Sequence, residues 1–283
     1  MNNKEQDYYI KNTFSKFIEI SGQDRANFIQ GLITNDINKC EDNKKPIYSC
    51  LLSPQGKFLS DFFIINNNNH YLLEIHEKYF ESFYSKLKIY KLRSKVDFKE
   101  NCDLLSFIVF KKNINILSKK TICYQDPRND NIGTKVYIDR KSSELESLTK
   151  LKEFKYEKYK ECLIRNLIPH SITDLVVNQS LLLENNFQDI NAIAWNKGCY
   201  VGQEITARMK YRALLKKKIY VLELLSGEIN LGDSIIDNDI NIGKFISKVG
   251  KYVLCMLRID LAQNKIKNNE KIIIDTSTKL KFL

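Results

Sequence analysis

The chemistry-bearing residues of this 283-residue chain concentrate in one stretch. It reads Lys197-Gly198-Cys199-Tyr200-Val201-Gly202-Gln203-Glu204, with Arg208 close behind. Two glycines bracket a thiol, a spacing that suits a tight and unusual backbone path. The thiolate is the reactive form of cysteine, and cations such as Lys197 and Arg208 beside it would lower its pKa. The stretch offers a nucleophile, a transient metal ligand or a redox-sensitive sulfur. The competing reading of Cys199 is a small buried apolar side chain. One thiolate does not hold an iron–sulfur cluster, which takes about four protein ligands, so no stably bound metal is expected. Glu204 and Arg208 have the separation of a supporting ion pair on a helix. In a pocket the two divide their work: Glu204 accepts N–H donors of a heterocycle, and Arg208 meets a carboxylate.

Mixed elements must position these groups. Ser21 and Asp24 precede Phe28, Ile29, Leu32 and Ile33, a capped helical pattern. Residues 47–52, 58–65 and 71–75 read as strands, with Ser53-Pro54-Gln55-Gly56 as a turn. Tyr79, Phe80, Phe83, Tyr84 and Leu87 predict an amphipathic helix over 77–92. Residues 104–110 and 135–138 read as short strands, and 141–160 as a charged linker that becomes a helix. Residues 181–195 show no clear period. From Lys218 onward, short strands at 219–225, 233–236, 242–247, 252–259 and 271–274 are punctuated by Gly227, Gly232, Gly243 and Gly250. That pattern predicts a small β-barrel. The class is α+β, with a boundary near residues 212–218.

Lys and Arg total 45 against 34 Asp and Glu, a formal charge of +11. Such a chain attracts nucleic acid, acidic membrane or a polyanionic ligand. Clusters lie at Lys86, Lys88, Lys91, Arg93 and Lys95, and at Arg208, Lys210, Arg212, Lys216, Lys217 and Lys218. Solvated faces are the plainer reading, and no zinc-finger, helix-turn-helix or aromatic RNA-binding motif accompanies them. The seven cysteines are widely spaced, with no Cys-x-x-Cys pair, so neither a zinc ribbon nor a thioredoxin-type site is encoded. Residues 1–9 hold no apolar signal region. No apolar run approaches the roughly 18 residues of a membrane span, and no membrane partner is expected. The expectation is a soluble cytoplasmic protein.

The stretch at 197–204 resembles the signature of the YgfZ/Iba57 group of folate-binding proteins, within the aminomethyltransferase (glycine cleavage T-protein) superfamily. The resemblance extends to Gly22, Asp24, Phe28, Gln30, Leu32 and the Thr34-Asn35-Asp36 turn. It includes Pro54-Gln55-Gly56-Lys57 followed by Asp61, then Asp126-Pro127-Arg128 with Gly133, then Ile168-Pro169, Asp174 and Glu184. Residues 207–212 resemble the basic stretch that follows the signature. Nearly the whole chain is covered.

The resemblance implies an α+β, three-domain ring with a ferredoxin-like domain and a small C-terminal β-barrel. Residues 1–212 would form the folate-binding region, with the ferredoxin-like domain at about 46–95 plus part of 100–160. Residues 213–283 would form the barrel. Tetrahydrofolate or a derivative is the implied cofactor. Glu184 would read the pterin edge, Tyr200 or Trp195 would supply a stacking wall, and Arg208 and Lys210 would face the glutamyl tail. Lys197, Gln203 and Glu204 join this set through the signature. Anchoring the core ahead of the signature is the plainer role for Trp195. Cys199 is the implied working thiol.

The T-proteins themselves carry an acidic pair in the hairpin where this chain has Ser60-Asp61. A hydroxyl does not do a carboxylate's electrostatic work beside an iminium-like intermediate. Asp61 remains as a candidate catalytic group, with a turn hydrogen bond as its plainer role. The implied function is a folate-dependent accessory factor for iron–sulfur assembly. Its partners would be assembly proteins and [4Fe–4S] client enzymes, and its support of tRNA modification would be indirect. The alternatives are a folate-dependent one-carbon transferase, and an RNA-binding tRNA-modification protein; direct nucleic-acid binding is not favoured.

Overall fold

The computed structural model describes residues 7–42, 45–111, 121–212, 214–274 and 277–283. They gather into two compact units. The first holds Met1–Leu52, Leu59–Tyr159 and Asn191–Val201; the second holds Ser53–Phe58, Lys160–Ile190 and Gly202–Leu283. Each unit is thus assembled from non-contiguous pieces. Residue 213, at which the expected barrel domain begins, lies outside the described residues.

In the first unit, β1 (Tyr8–Asn12) and β2 (Ser15–Ser21) precede α1 (Arg25–Gln30) and α2 (Asn38–Asp42). Next come β3 (Ile47–Leu52), β4 (Phe58–Asn67), β5 (His70–His76), α3 (Glu77–Lys91) and β6 (Asp97–Asn101). One sheet has the order β3-β4-β5-β2-β6. The expected helical period is realised in α3, which buries Tyr79, Phe80, Phe83 and Leu87. Phe83 meets Phe62 of β4 with ring centroids 4.7 Å apart. Burying one such side chain stabilises the fold by about 1.5–3 kcal/mol. β7 (Leu104–Phe110), β8 (Ile122–Gln125), β9 (Thr134–Asp139), α4 (Glu144–Leu148) and β10 (Lys152–Phe154) complete the unit. The second sheet runs β10-β1-β7-β9-β8. The 141–160 segment is therefore more than a linker leading into a helix. Leu145, Leu148 and Leu151 pack on Phe107 and Val136, and this apolar stripe folds α4 onto the sheet.

α5 (Tyr156–Arg165) carries the chain onward to α6 (Ser171–Asp174) and α7 (Gln203–Tyr211). The barrel strands of the second unit are β11 (Lys217–Ser226), β12 (Ser234–Asp237), β13 (Ile240–Val249) and β14 (Tyr252–Arg258). α8 (Ile259–Lys267), β15 (Ile272–Ile273) and β16 (Lys279–Phe282) follow. The sheet order is β12-β13-β14-β11-β16-β15. Its edges approach one another: the Ile273 N–H donates to Asp237 Oδ1 at 3.0 Å, so the sheet nearly closes into the expected barrel. Strand alternation explains its two-sided burial. Leu222, Val253, Cys255 and Leu257 fill the interior. Ile219, Val221, Leu254 and Met256 pack outward on Ile164 of α5. The expected strand at 252–259 stops at Arg258 because α8 begins at Ile259. The expected α+β class holds throughout. No helix among the described residues is long and apolar enough to cross a membrane.

Candidate functional site

The first unit pins the signature stretch by main-chain and side-chain hydrogen bonds. Thr34 Oγ1 donates to the Ala192 carbonyl at 2.7 Å, and the Ala194 N–H returns to the Thr34 carbonyl at 3.0 Å. Asn35 Nδ2 donates to the carbonyls of Asn191 (2.7 Å) and Tyr48 (2.8 Å). The Val201 N–H donates to the Gly31 carbonyl at 3.1 Å. Lys197 Nζ donates to the carbonyls of Gln30, Ile33 and Asn35 at 2.7, 2.8 and 2.8 Å. All three ammonium hydrogens are thus engaged, and Lys197 acts as a clamp between the helix-to-turn segment and the signature. Burial pushes its pKa down to about 8. Tyr200 is buried, Trp195 half-buried, and Cys199 exposed. The Cys199 sulfur therefore stands on a fastened loop and is open to solvent.

Asp61 lies in the same unit within a buried polar and aromatic cluster. On β4, Asp61 shares a face with Phe63 and Ser60 shares the other with Phe62, because strand side chains alternate. The Tyr48 hydroxyl donates to Asp61 Oδ2 at 2.7 Å. Asp61 Oδ1 is buried and has no hydrogen-bond partner among the described residues. The Arg128 guanidinium lies over the rings of Tyr48 (5.0 Å) and Phe63 (4.8 Å). Asp126 holds it bidentately at 3.0 and 2.7 Å. Lys135 lies over Phe63 at 4.0 Å and forms an ion pair with Glu74. Glu74 also accepts hydroxyl hydrogens from Ser15, Ser106 and Tyr137 at 2.5, 2.6 and 2.6 Å. Burial works to raise the Glu74 pKa, but Lys135 and these donors together hold it below the usual carboxylate value. Tyr48, Glu74, Lys135 and Tyr137 carried no signal in the sequence reading, since their partners are remote along the chain.

The second unit places the other expected residues. Glu184 sits in the 3-10 turn Leu183–Asn185, with its side chain 16% exposed and Lys217 Nζ 3.6 Å away. It lines a cavity of about 760 Å³ with Leu214, Leu215, Lys216, Lys217, Arg258, Ile259, Asp260 and Gln263. That volume lies within the usual range for small-molecule sites, roughly 300–1,000 Å³. α7 begins at Gly202, whose φ of 80° is the left-handed cap that a glycine supplies. The Pro54-Gln55-Gly56-Lys57 turn packs against this helix start. A Cβ on Gly56 would lie 2.8 Å from Ile205 Cβ and 3.0 Å from the Gly202 carbonyl oxygen.

Arg208 and Glu204 form the helical ion pair at 2.5 Å, both side chains half-exposed or more. Gln203 opens α7, and Lys210 is exposed near its end. None of these four lines the cavity; Lys216, Lys217 and Arg258 supply its cations. Arg258 was missed because only the pairing of β11 with β14, which sets Lys217 opposite Arg258, brings it there. Among the described residues no group of His, Cys, Asp and Glu converges as a metal site.

Comparison with known proteins agrees with this architecture. No protein-family profile matches the chain. It is 28% identical over 221 residues to the iron–sulfur cluster assembly factor IBA57 homolog, mitochondrial, of Mycosarcoma maydis, covering 72% of this chain and 54% of that protein. It is also 28% identical over 233 residues to the tRNA-modifying protein YgfZ of Aliivibrio fischeri, covering 77% and 72%. Glycine cleavage system aminomethyltransferase T from Bartonella henselae superposes with a TM-score of 0.75 at 10% identity, over 98% of this chain and 85% of that one. The chain is similar to members of the YgfZ/Iba57 family. The fold seen here is that of the B. henselae aminomethyltransferase T. The chain spans about half the length of the M. maydis and Neurospora crassa relatives, 54% and 52%. The cytoplasmic location expected from the sequence is corrected by these relatives: the M. maydis, N. crassa and Mus musculus proteins are mitochondrial by name.

Proposed function

We propose that this chain is a folate-dependent accessory factor in the assembly or upkeep of iron–sulfur proteins, [4Fe–4S] enzymes in particular. Its support of tRNA modification is indirect, through such enzymes. The observation that carries this reading is Glu184, a half-buried carboxylate facing a cofactor-sized cavity with apolar walls and three cations. A pterin edge offers N–H donors to a carboxylate, and a glutamyl tail offers carboxylates to Lys216, Lys217 and Arg258. The donor set fits the group. Bound tetrahydrofolate supplies one-carbon chemistry; the chain's residues bind and orient it. Residues 213–283 form the barrel domain that contributes the cations. Cys199, held outward by its clamped loop, is the thiol offered to assembly proteins and their clients.

Calorimetric titration of tetrahydrofolate into the full chain tests the proposal. Saturable binding is expected, weakened about tenfold by Glu184→Gln, a loss of about 1.4 kcal/mol. No binding by the wild type overturns the folate reading. In cells depleted of the native protein, Cys199→Ser is expected to lower aconitase-type activities while remaining folded. Unchanged activities remove the thiol from the function.

A second reading, a folate-dependent one-carbon transferase, is favoured by Asp61. Its buried and unpartnered Oδ1 is the group such a reaction would employ. Release of a one-carbon unit from a folate adduct, lost in Asp61→Asn, would establish it.

A further inference from the structure

The end of α3 carries a patch that the folate reading does not employ. From Ser82 to Val96 the chain holds Lys86, Lys88, Lys91, Arg93 and Lys95 and no acidic residue. Two aliphatic side chains protrude among these cations: Ile89 is 69% exposed and Leu92 is 87% exposed. Lys91 pairs with Asp97 at 3.3 Å. Lys86, Arg93 and Lys95 have no ion pair among the described residues.

The backbone makes the display of Leu92 unusual. The Ser94 N–H donates to the Lys91 carbonyl at 2.8 Å, closing a tight turn after the helix. Leu92 occupies its first central position with φ 44° and ψ −114°. That is the corner of a type II′ turn, where glycine is normally required. A leucine there is strained and gains almost no burial in return. Fold stability alone favours glycine, so the displayed side chain points to a use outside the fold.

We propose that this tip of α3 binds the surface of anionic lipid membranes. Leu92 and Ile89 enter the boundary between headgroups and acyl chains. Lys86, Lys88, Arg93 and Lys95 lie against the lipid phosphates. Charge complementarity selects the anionic surface, and the projecting aliphatics select a bilayer over the other polyanions. A nucleic acid would use the cations and leave Leu92 in water. The two aliphatics stand out into solvent, as insertion between headgroups and acyl chains requires. A peripheral contact of this kind requires no spanning helix. The inference stands independently of the folate reading.

Co-sedimentation of the full chain with vesicles provides the test. Phosphatidylcholine vesicles are compared with vesicles containing roughly 30% phosphatidylglycerol, at low and raised salt. Binding to the anionic vesicles alone is expected, falling as salt rises. Arg93→Gln with Lys95→Gln is expected to weaken it by about fivefold per charge. Ile89→Ser with Leu92→Ser is expected to weaken it by about tenfold. Leu92→Gly separates binding from folding: it is expected to raise the melting temperature while lowering vesicle binding. Three outcomes overturn the proposal: no sedimentation with anionic vesicles, equal binding to neutral ones, or variants that bind as the wild type does. Capture of an acidic polypeptide or an RNA through Leu92, without vesicle binding, also overturns it.

Discussion

Tyr48 and Asp61 are joined by a hydrogen bond of 2.7 Å from the phenol to Oδ2, while Oδ1 of the same carboxylate is buried and unpartnered among the described residues. One oxygen of Asp61 is thus fixed, and the other is a buried acceptor whose hydrogen-bonding capacity is unmet among the described residues. The Tyr48 pKa is pushed well up by burial and by Asp61, so the phenol remains the donor at neutral pH. The alternation of β4 places Ser60 on the opposite face, so the hydroxyl that stands in for the second acid does not face this cluster.

Tyr48→Phe removes the hydrogen bond that Asp61 Oδ2 accepts from the phenol. A carboxylate left so costs about 1–3 kcal/mol. Asp61→Asn in the same background is expected to recover part of that loss, because a neutral amide is less costly to bury than a charge. A double-mutant cycle in urea measures the coupling. Additive losses would show that the two side chains do not interact.

How much of this was legible follows from what each residue's partners are. α3 was legible because its apolar residues recur at a helical period, and the barrel strands because alternation and glycine turns are local signals. β2 was not read, although it buries Phe17, Ile18 and Ile20; its Ser and Lys ends gave no turn signal against β1. Glu74 was not legible because its donors Ser106 and Tyr137 lie 32 and 63 residues away. The signature was read as chemistry, but the task of Lys197 was hidden. Its acceptors are main-chain carbonyls 162–167 residues away, and every residue type carries a carbonyl.

The Glu74 cluster sets an acid limit on stability. Its folded pKa lies below the ordinary 4.5. The stability it contributes is therefore fully present above about pH 4.5 and is lost as pH falls through the folded pKa. Urea unfolding between neutral pH and pH 3 is expected to show a steeper acid decline in the wild type than in Glu74→Gln. Glu74→Gln is itself expected to be less stable at pH 7 by about 3 kcal/mol, because it leaves Lys135 buried without its counter-charge. Parallel pH profiles would refute the assignment.

Gly56 carries φ 69° and has Ile205 and the Gly202 carbonyl where a Cβ would stand. Gly56→Ala combines a left-handed backbone penalty with a clash against the start of α7. A loss of about 1–3 kcal/mol is expected, read as a lowered melting temperature. The clash falls on the helix that carries Glu204 and Arg208, so amide exchange over Gln203–Tyr211 should quicken with it. A stable variant with unchanged exchange would mean that the turn does not brace α7.

Lys197 offers the sharpest separation between chemistry and architecture. If it served to activate the neighbouring thiol, Lys197→Met would slow Cys199 alkylation and leave stability alone. The geometry argues the reverse. Three carbonyl acceptors at 2.7–2.8 Å lose their donor together, and the methionine stem retains the packing of the apolar part. Destabilisation by about 3 kcal/mol is expected. The loop around Cys199, released from its clamp, is expected to become more open to protease. Thiol alkylation is expected to hold its rate or rise, because the sulfur is already exposed. A slowed alkylation with unchanged melting would return Lys197 to the chemistry.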